Sequence, residues 1–453
     1  MRKSRKVSSD DIAFWVYPKD MDFKIPRKYK LKKRYSDLTI ERIQNLNKGN
    51  FISRLRSTNL HEAIGPTLFT AQLFGLMPIS GVLSKNHHNL KFRWFAWRTL
   101  ISLIVLFGSG VMCILATINL AKFGVTFYNN TTLVFSVSTF ASIVLFLRLA
   151  CRWPKLLGKF LEADQKMGPA YGNMPLGLRM SLLTGSVLIP SLVEFYLSIN
   201  SNYSYAKKCA ISGTILEEFF KVSFPEVYMW NGNNIKLAAM FQILNIATTF
   251  TWNYTDLFII LITAALTQKF KQLNKRLEQV KYKEMSVQFW RNIREDYVLL
   301  SELVKTANEI IGPIILISFS NNLYFICSQL LKGVTRSNRD KAQAFYFWFS
   351  FMLLMTRTFA VSLFSAEVAH EARRPEGVMR TLPSTGYSQD AQRFLDHVAA
   401  RNVQLSGMHF FYISRRIMLT VAGTIITYEL VLIQFNLSDL KNTRNYCHEF
   451  NRF

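Results

Sequence analysis

Four side chains that are costly in hydrocarbon stand inside apolar stretches of this 453-residue chain: Glu194, Asp256, Asn322 and Arg357. Two aromatic residues, Trp252 and Tyr324, lie within a helical turn or so of them in sequence. Carboxylates and amides exchange hydrogen bonds with hydroxyl groups, and the faces of tryptophan and tyrosine stack on the C–H faces of a pyranose ring. Together these residue types could recognise a small polyhydroxylated ligand. A plainer arrangement also accounts for them, with Arg357 neutralising Glu194 or Asp256 as a buried pair and the two aromatics simply packing.

Whether these groups can meet depends on the elements that carry them. Apolar residues make up 50% of the chain, with 14% aromatic and a mean hydropathy of +0.12. They gather in blocks of roughly 20, the length that crosses a bilayer as helix. Seven spans are expected, at Arg98 to Leu120, Thr132 to Cys151, Arg179 to Ile199, Leu237 to Gln268, Ile310 to Leu331, Ala342 to Ser365 and Arg416 to Phe435. An eighth apolar stretch, His61 to Leu83, contains Pro66, Pro78 and three glycines and reads as a poor straight helix that dips in without crossing.

Loop chemistry sets the orientation. The segments CRWPKLLGKF, KFKQLNKRLEQVKYK and EARRPEGVMR follow the second, fourth and sixth spans as basic loops, which belong in the cytoplasm. The sequons at Asn129, Asn130 and Asn202 fall in the alternate loops, as glycosylation outside the cell requires, while the sequon at Asn253 lies inside a span. Both signals give a cytoplasmic N-terminus and an extracellular C-terminus. The loop LKGVTRSNRDKAQ runs against the pattern, being basic yet placed outside.

At ~1.5 Å of rise per residue, Trp252 and Asp256 stand roughly 25 and 20 Å above Lys269 at the inner edge. Glu194 stands ~22 Å above Arg179, Arg357 ~21 Å above Glu371, and Asn322 ~15 Å below Lys332 at the outer edge. Against a core of about 30 Å these are middle or outer-half depths. Groups of opposite charge at one depth on different helices can converge on a shared cavity. Arg148 lies only ~6 Å from Arg152 and snorkels to the inner face.

Several classes are excluded. The net charge of +26 belongs with cytoplasmic segments that meet anionic lipid rather than with nucleic acid. The five cysteines show no metal or disulfide spacing, no cofactor motif is present, and no nucleotide, zinc-peptidase or serine-hydrolase pattern appears. No apolar signal core occupies the first sixty residues. Their KIPRKYKLKKRY centre suits attraction to anionic lipid or a cytoplasmic arm. The inverted topology differs from that of a G-protein-coupled receptor.

The last span contains TYELVLIQF, Thr427 to Phe435, which resembles the TYhhhhhQF signature of insect gustatory receptors. HEAIGPTLFTAQLFGLMPISGV, ISFSNNLYFICSQLLK and SGMHFFYISRRIMLTVAGT resemble the sugar-sensing branch of that family, so the likeness runs from about Leu60 to Phe435. Glu429 occupies a position that is hydrophobic in the general signature, a departure the sugar branch tolerates. The resemblance implies a homo- or heterotetrameric, ligand-gated cation channel with a pore lined by the last helix. It places Gln434 and Phe435 at the extracellular gate, where phenylalanines closing on an axis would make a dry constriction. At helical spacing Leu430 or Val431, Thr427 and Gly423 share a face with Gln434. Gln434 could instead form an interhelical hydrogen bond. Glu429 either draws cations or pairs with a neighbouring helix or stays protonated.

The expectation is therefore an all-α membrane protein of seven helices plus a non-spanning N-terminal apolar segment. Residues 1–60 form a basic cytoplasmic tail, 61–98 a re-entrant or interfacial segment and link, and 99–369 six helices that bind ligand. Residues 370–415 form cytoplasmic anchor helices, 416–436 the pore helix and 437–453 an extracellular tail. What the resemblance implies is a sugar-gated, non-enzymatic taste receptor in the plasma membrane of chemosensory neurons. Its partners would be a sugar, permeating cations, related receptor chains and membrane lipid. A secondary transporter of a small polar solute, or a subunit that conducts only beside a partner chain, stands as the alternative.

Overall fold

A chain segment in hydrocarbon has no water to satisfy its N–H and C=O groups, so each apolar run must close its own hydrogen bonds as helix. The computed structural model describes residues 57–416, except 85–88, 125–126, 169–170, 172–174, 210–213, 226, 228–233, 336–340 and 383–387, together with Gly423 and Thr427. Its elements are α1 (Leu60–Leu73), β1 (Ile79–Ser80), β2 (Lys91–Phe92), α2 (Trp97–Phe123), α3 (Phe127–Met167) and α4 (Gly177–Cys209). They continue with α5 (Ile215–Ser223), α6 (Ile235–Gln279), α7 (Val287–Thr335), α8 (Lys341–Met379), α9 (Gln389–Ala400), β3 (Ser406–Gly407) and β4 (Phe411–Tyr412). The architecture is nearly all helical. Among the described residues six helices, α2, α3, α4, α6, α7 and α8, are long and apolar enough to cross a membrane. Most of the expected seventh span lies outside the described residues.

The stretch from His61 corrects one expectation. Leu60–Leu73 is a regular helix despite Pro66, because Leu60, Ile64, Leu68 and Ala71 bury one face of it against the bundle. At 14 residues it reaches about 21 Å, short of the ~30 Å hydrocarbon core. Gly75, Pro78 and Gly81 fall after it, where the chain turns into the short β1–β2 hairpin.

The three basic segments read as loops are corrected as well. Helix α3 continues unbroken through CRWPKLLGKF, α6 through KFKQLNKRLEQ, and α8 through EARRPEGVM. Their apolar residues recur at helical spacing: Trp153, Leu156, Leu157, Phe160 and Ala163 are all buried. Helices α3, α6, α7 and α8 hold 41, 45, 49 and 39 residues, about 60–75 Å each by the helical rise. The C-terminal part of α3, α6 and α8 packs with α9 and the β3–β4 hairpin in the same continuous core as the rest of the bundle. Phe394 and Val398 of α9, Leu405 and Ile413 are buried there.

Helix α6 is the centre of the bundle. Every residue from Asn253 to Phe270 is buried, so it contacts neighbours all round, whereas α2 and α4 leave Leu100, Ile104, Phe107, Leu182, Ile189 and Leu192 exposed to lipid. A polar group on the buried part of α6 must therefore bond its own backbone, as Thr255 and Thr263 do, or find a partner on another helix.

Candidate ligand-binding site

Asp256 sits on α6 with 1% of its surface exposed, and α7 and α8 supply its partners. Arg357 of α8 brings Nε to 2.6 Å from Asp256 Oδ2. From α7, the Ser318 hydroxyl donates to Oδ1 at 2.5 Å, and Asn322 Nδ2 lies 3.3 and 3.2 Å from the two carboxylate oxygens. Arg357 Nη1 donates to Asn253 Oδ1, which also accepts from Ser191 of α4 at 3.0 Å. The guanidinium lies 4.6 Å from the Trp252 ring. Four helices, α4, α6, α7 and α8, thus meet on one ion pair.

The network is not saturated. Arg357 Nη2, Trp252 Nε1 and Asn322 Oδ1 are buried with no hydrogen-bond partner among the described residues. Each such group costs about 1–3 kcal/mol if nothing meets it, so a polar ligand or a rearrangement that engages them is favoured.

A cavity of about 240 Å³ opens beside this network among α2, α3, α5, α6 and α7. Its polar lining is Ser109, Thr131, Thr132, Thr139, Ser223, Asn245 and Thr248; its aromatic walls include Phe135 and Phe325. Ser109, Thr139 and Thr248 donate their hydroxyl protons to carbonyls of their own helices. That leaves their oxygen lone pairs as acceptors for an incoming hydroxyl. Trp252 closes the connection: its ring meets Phe135 edge-on at 6.1 Å and Phe325 at 4.9 Å. A contact path runs from the cavity through Phe135 and Phe325 to Trp252, Arg357 and Asp256.

The six ligand candidates from the sequence separate accordingly. Trp252, Asp256, Asn322 and Arg357 come together. Glu194 makes no hydrogen bond to Asp256 or Arg357, accepting instead from Ser350 Oγ at 2.5 Å, with Gln329 Nε2 donating to the same hydroxyl at 3.3 Å, but Arg357 lies close enough to interact with its charge. Tyr324 packs edge-on against Phe325 at 5.3 Å. The Thr, Ser and Asn lining of the cavity carried no signal in the sequence.

Of the pore residues, Thr427 donates to the Gly423 carbonyl at 2.9 Å, one helical turn apart; Glu429, Leu430, Val431, Gln434 and Phe435 lie outside the described residues. Asn129 is buried and bonded to Gly124 O, whereas Asn130 is half-buried in the first turn of α3 and Asn202 half-buried within α4. Asn253 is buried inside the bundle, which keeps its sequon from solvent.

A bundle with six such long, apolar helices among the described residues is that of a multi-pass membrane protein. It shares its fold with the olfactory receptor OR5 of Machilis hrabei, solved alone and with eugenol: the structure with eugenol superposes with a TM-score of 0.57 at 15% identity, over 83% of this chain and 98% of that one. Residues 40–447 match the model of the trehalose receptor family, and the chain belongs to that family, the sugar branch of the insect gustatory receptors. The Drosophila melanogaster gustatory receptor for sugar taste 64f is 34% identical over 388 residues, 84% of this chain and 82% of its own length. The gustatory receptor 5a for trehalose from the same organism is 32% identical over 386 residues, 84% of this chain and 86% of its own length. These relatives are receptors and not enzymes.

Proposed function

We propose that this chain is a sugar-gated, non-selective cation channel acting as a taste receptor in the plasma membrane of chemosensory neurons. The observation that carries the reading is the hydroxyl-lined cavity whose aromatic wall touches Trp252 and, through it, the Arg357–Asp256 pair. Threonine and asparagine groups exchange hydrogen bonds with sugar hydroxyls, and Phe135 and Phe325 offer ring faces to the pyranose. A sugar seated there presses on Trp252 and biases the arginine between alternative partners. The extent of opening follows the difference in sugar affinity between closed and open arrangements.

Transmission has a route in α8. Arg357 stands ten residues before Glu367, about 15 Å along the same helix. Glu367 accepts from Arg415 at 2.9 Å, at the base of the last span. In this reading residues 416–436 form a seventh helix, four copies of which surround the pore with Thr427, Leu430 or Val431 and Gln434 along it and Phe435 as its gate. The N-terminus is cytoplasmic, the C-terminus extracellular, and Asn130 and Asn202 carry glycans. Trehalose, the sugar in the family's description and in one relative's name, is the first ligand to try.

The test is whole-cell current from cells expressing this chain alone, with G-protein signalling blocked, during application of trehalose and a panel of mono- and disaccharides. A prompt, sugar-dependent cation current is expected. Silence with surface expression established would overturn the self-sufficient channel and leave a subunit that conducts beside a related chain, or a transporter.

A further inference from the structure

The segment leading into α2, Lys91 to Arg98, reads KFRWFAWR: three cations and four aromatic residues in eight positions. No acidic residue occurs anywhere between Glu62 and Glu162. Among the described residues none of these three cations forms an ion pair.

The segment has a fixed shape. Phe92 pairs with Ile79 in the β1–β2 hairpin, the Arg93 carbonyl accepts from the Thr99 hydroxyl at 2.7 Å and from Ala96 N at 3.3 Å, and Arg98 Nη1 donates to Ile79 O at 3.2 Å. Held this way, Phe92 packs on the core while Trp94, Phe95 and Trp97 point outward, 60%, 105% and 63% exposed. Lys91 and Arg93 are exposed beside them, and the Arg98 guanidinium lies 5.4 Å from the Trp97 ring. The outward aromatics are continuous with the lipid-facing stripe of α2, since Trp97, Leu100, Ile104 and Phe107 recur at helical spacing and are all exposed. The cations therefore sit where the lipid-facing surface ends. That is headgroup level, where indole rings rest and basic side chains reach phosphate.

We infer that Lys91 to Arg98 is a binding site for an anionic phospholipid. Lys91 and Arg93 take the headgroup, and Trp94, Phe95 and Trp97 lie against its glycerol and upper acyl region. An acidic protein segment would match the charge but would leave the exposed stripe that runs on into the hydrocarbon without a partner. The inference rests on α2 crossing the bilayer and is independent of the sugar and of the direction in which the chain is inserted.

The experiment uses the full chain in phosphatidylcholine nanodiscs doped with either brominated phosphatidylserine or brominated phosphatidylcholine, reading the quenching of tryptophan emission. Both leaflets carry the probe, so orientation does not enter. Wild type is expected to be quenched more by the brominated serine lipid. The K91Q/R93Q double variant should lower the preference by about thirtyfold, since each of the two cations near an anionic surface contributes about 1 kcal/mol. The K236Q variant, a cation at the start of α6, should keep it. Size-exclusion profiles and unchanged quenching by the brominated choline lipid show that the variants are folded. Equal quenching of wild type by the two lipids, or a preference that survives in K91Q/R93Q, would overturn the inference.

Discussion

Arg357 and Asp256 lie 101 positions apart in sequence and 2.6 Å apart in space, on neighbouring membrane helices, with 4% and 1% of their surfaces exposed. Truncating one partner strands the other charge in the bundle, at a cost of about 3–5 kcal/mol. Arg357→Ala and Asp256→Ala should therefore lower the thermal stability of the detergent-solubilised protein and its yield at the cell surface. The uncharged pair Asp256→Asn with Arg357→Gln should regain most of that stability, because no lone charge remains. If the pair also transmits ligand binding, this stable double variant will respond weakly to sugar. A normal response from it would reduce Arg357 to the plain role of neutralising Asp256.

The cavity makes a separate prediction. Asn245 and Thr132 line it without belonging to the Asp256 network. Asn245→Leu and Thr132→Val should each raise the half-maximal sugar concentration about tenfold, the loss of a hydrogen bond or two, with the maximal current little changed. Thr267→Val, a buried hydroxyl elsewhere on α6, should leave the concentration dependence alone. A concentration–response series on all three variants checks this.

How far the site could be read from sequence follows from what each signal measures. Counting residues from the charged edges gives height in the membrane, and it put Asp256 and Arg357 level, which is how they meet. Height says nothing of direction around the helix axis, so it does not tell that Glu194 takes its hydrogen bond from Ser350 and meets Arg357 only through charge. Cavity hydroxyls such as Thr139 and Thr248 were silent because a threonine that bonds its own helix costs little in lipid. The extensions of α3, α6 and α8 beyond a bilayer's thickness are legible in principle. The stripe of Trp153, Leu156, Leu157, Phe160 and Ala163 has helical spacing, but the basic residues between its members read as a loop.

Glycines separate by what surrounds them. A Cβ at Gly81 would stand 2.4 Å from the Asn89 carbonyl oxygen, and its φ of +83° is one that only glycine adopts freely. Gly81→Ala should cost about 2 kcal/mol or more by opening the β1–β2 hairpin. Gly158, inside α3, has nothing within 4 Å of its would-be Cβ. Gly158→Ala should stabilise by up to about 1 kcal/mol through helix propensity. Melting temperatures of the two variants in one detergent should move in opposite directions.

The last prediction concerns Glu367, which joins Lys271 of α6 at 3.1 Å and Arg415 at 2.9 Å. Partial burial pushes its carboxyl up, but hydrogen bonds and charge from Lys271 and Arg415 outweigh this and hold it below the usual value of 4.5. A carboxylate whose pKa is lowered on folding adds stability that is fully present above its unfolded value and lost as pH falls through the folded one. Wild type should therefore melt above Glu367→Gln at neutral pH, and the gap should shrink as pH drops below about 4.5. The side chains are partly exposed, so the gap should be only a degree or two. The effect on gating should be larger than the effect on melting, because Glu367 ties α8 to Arg415, just before the proposed pore helix. Glu367→Gln and Arg415→Gln should each shift the sugar response, and the double variant should shift it no further than either alone. Additive shifts would mean that the two residues act on the gate separately, and the route through α8 would fail.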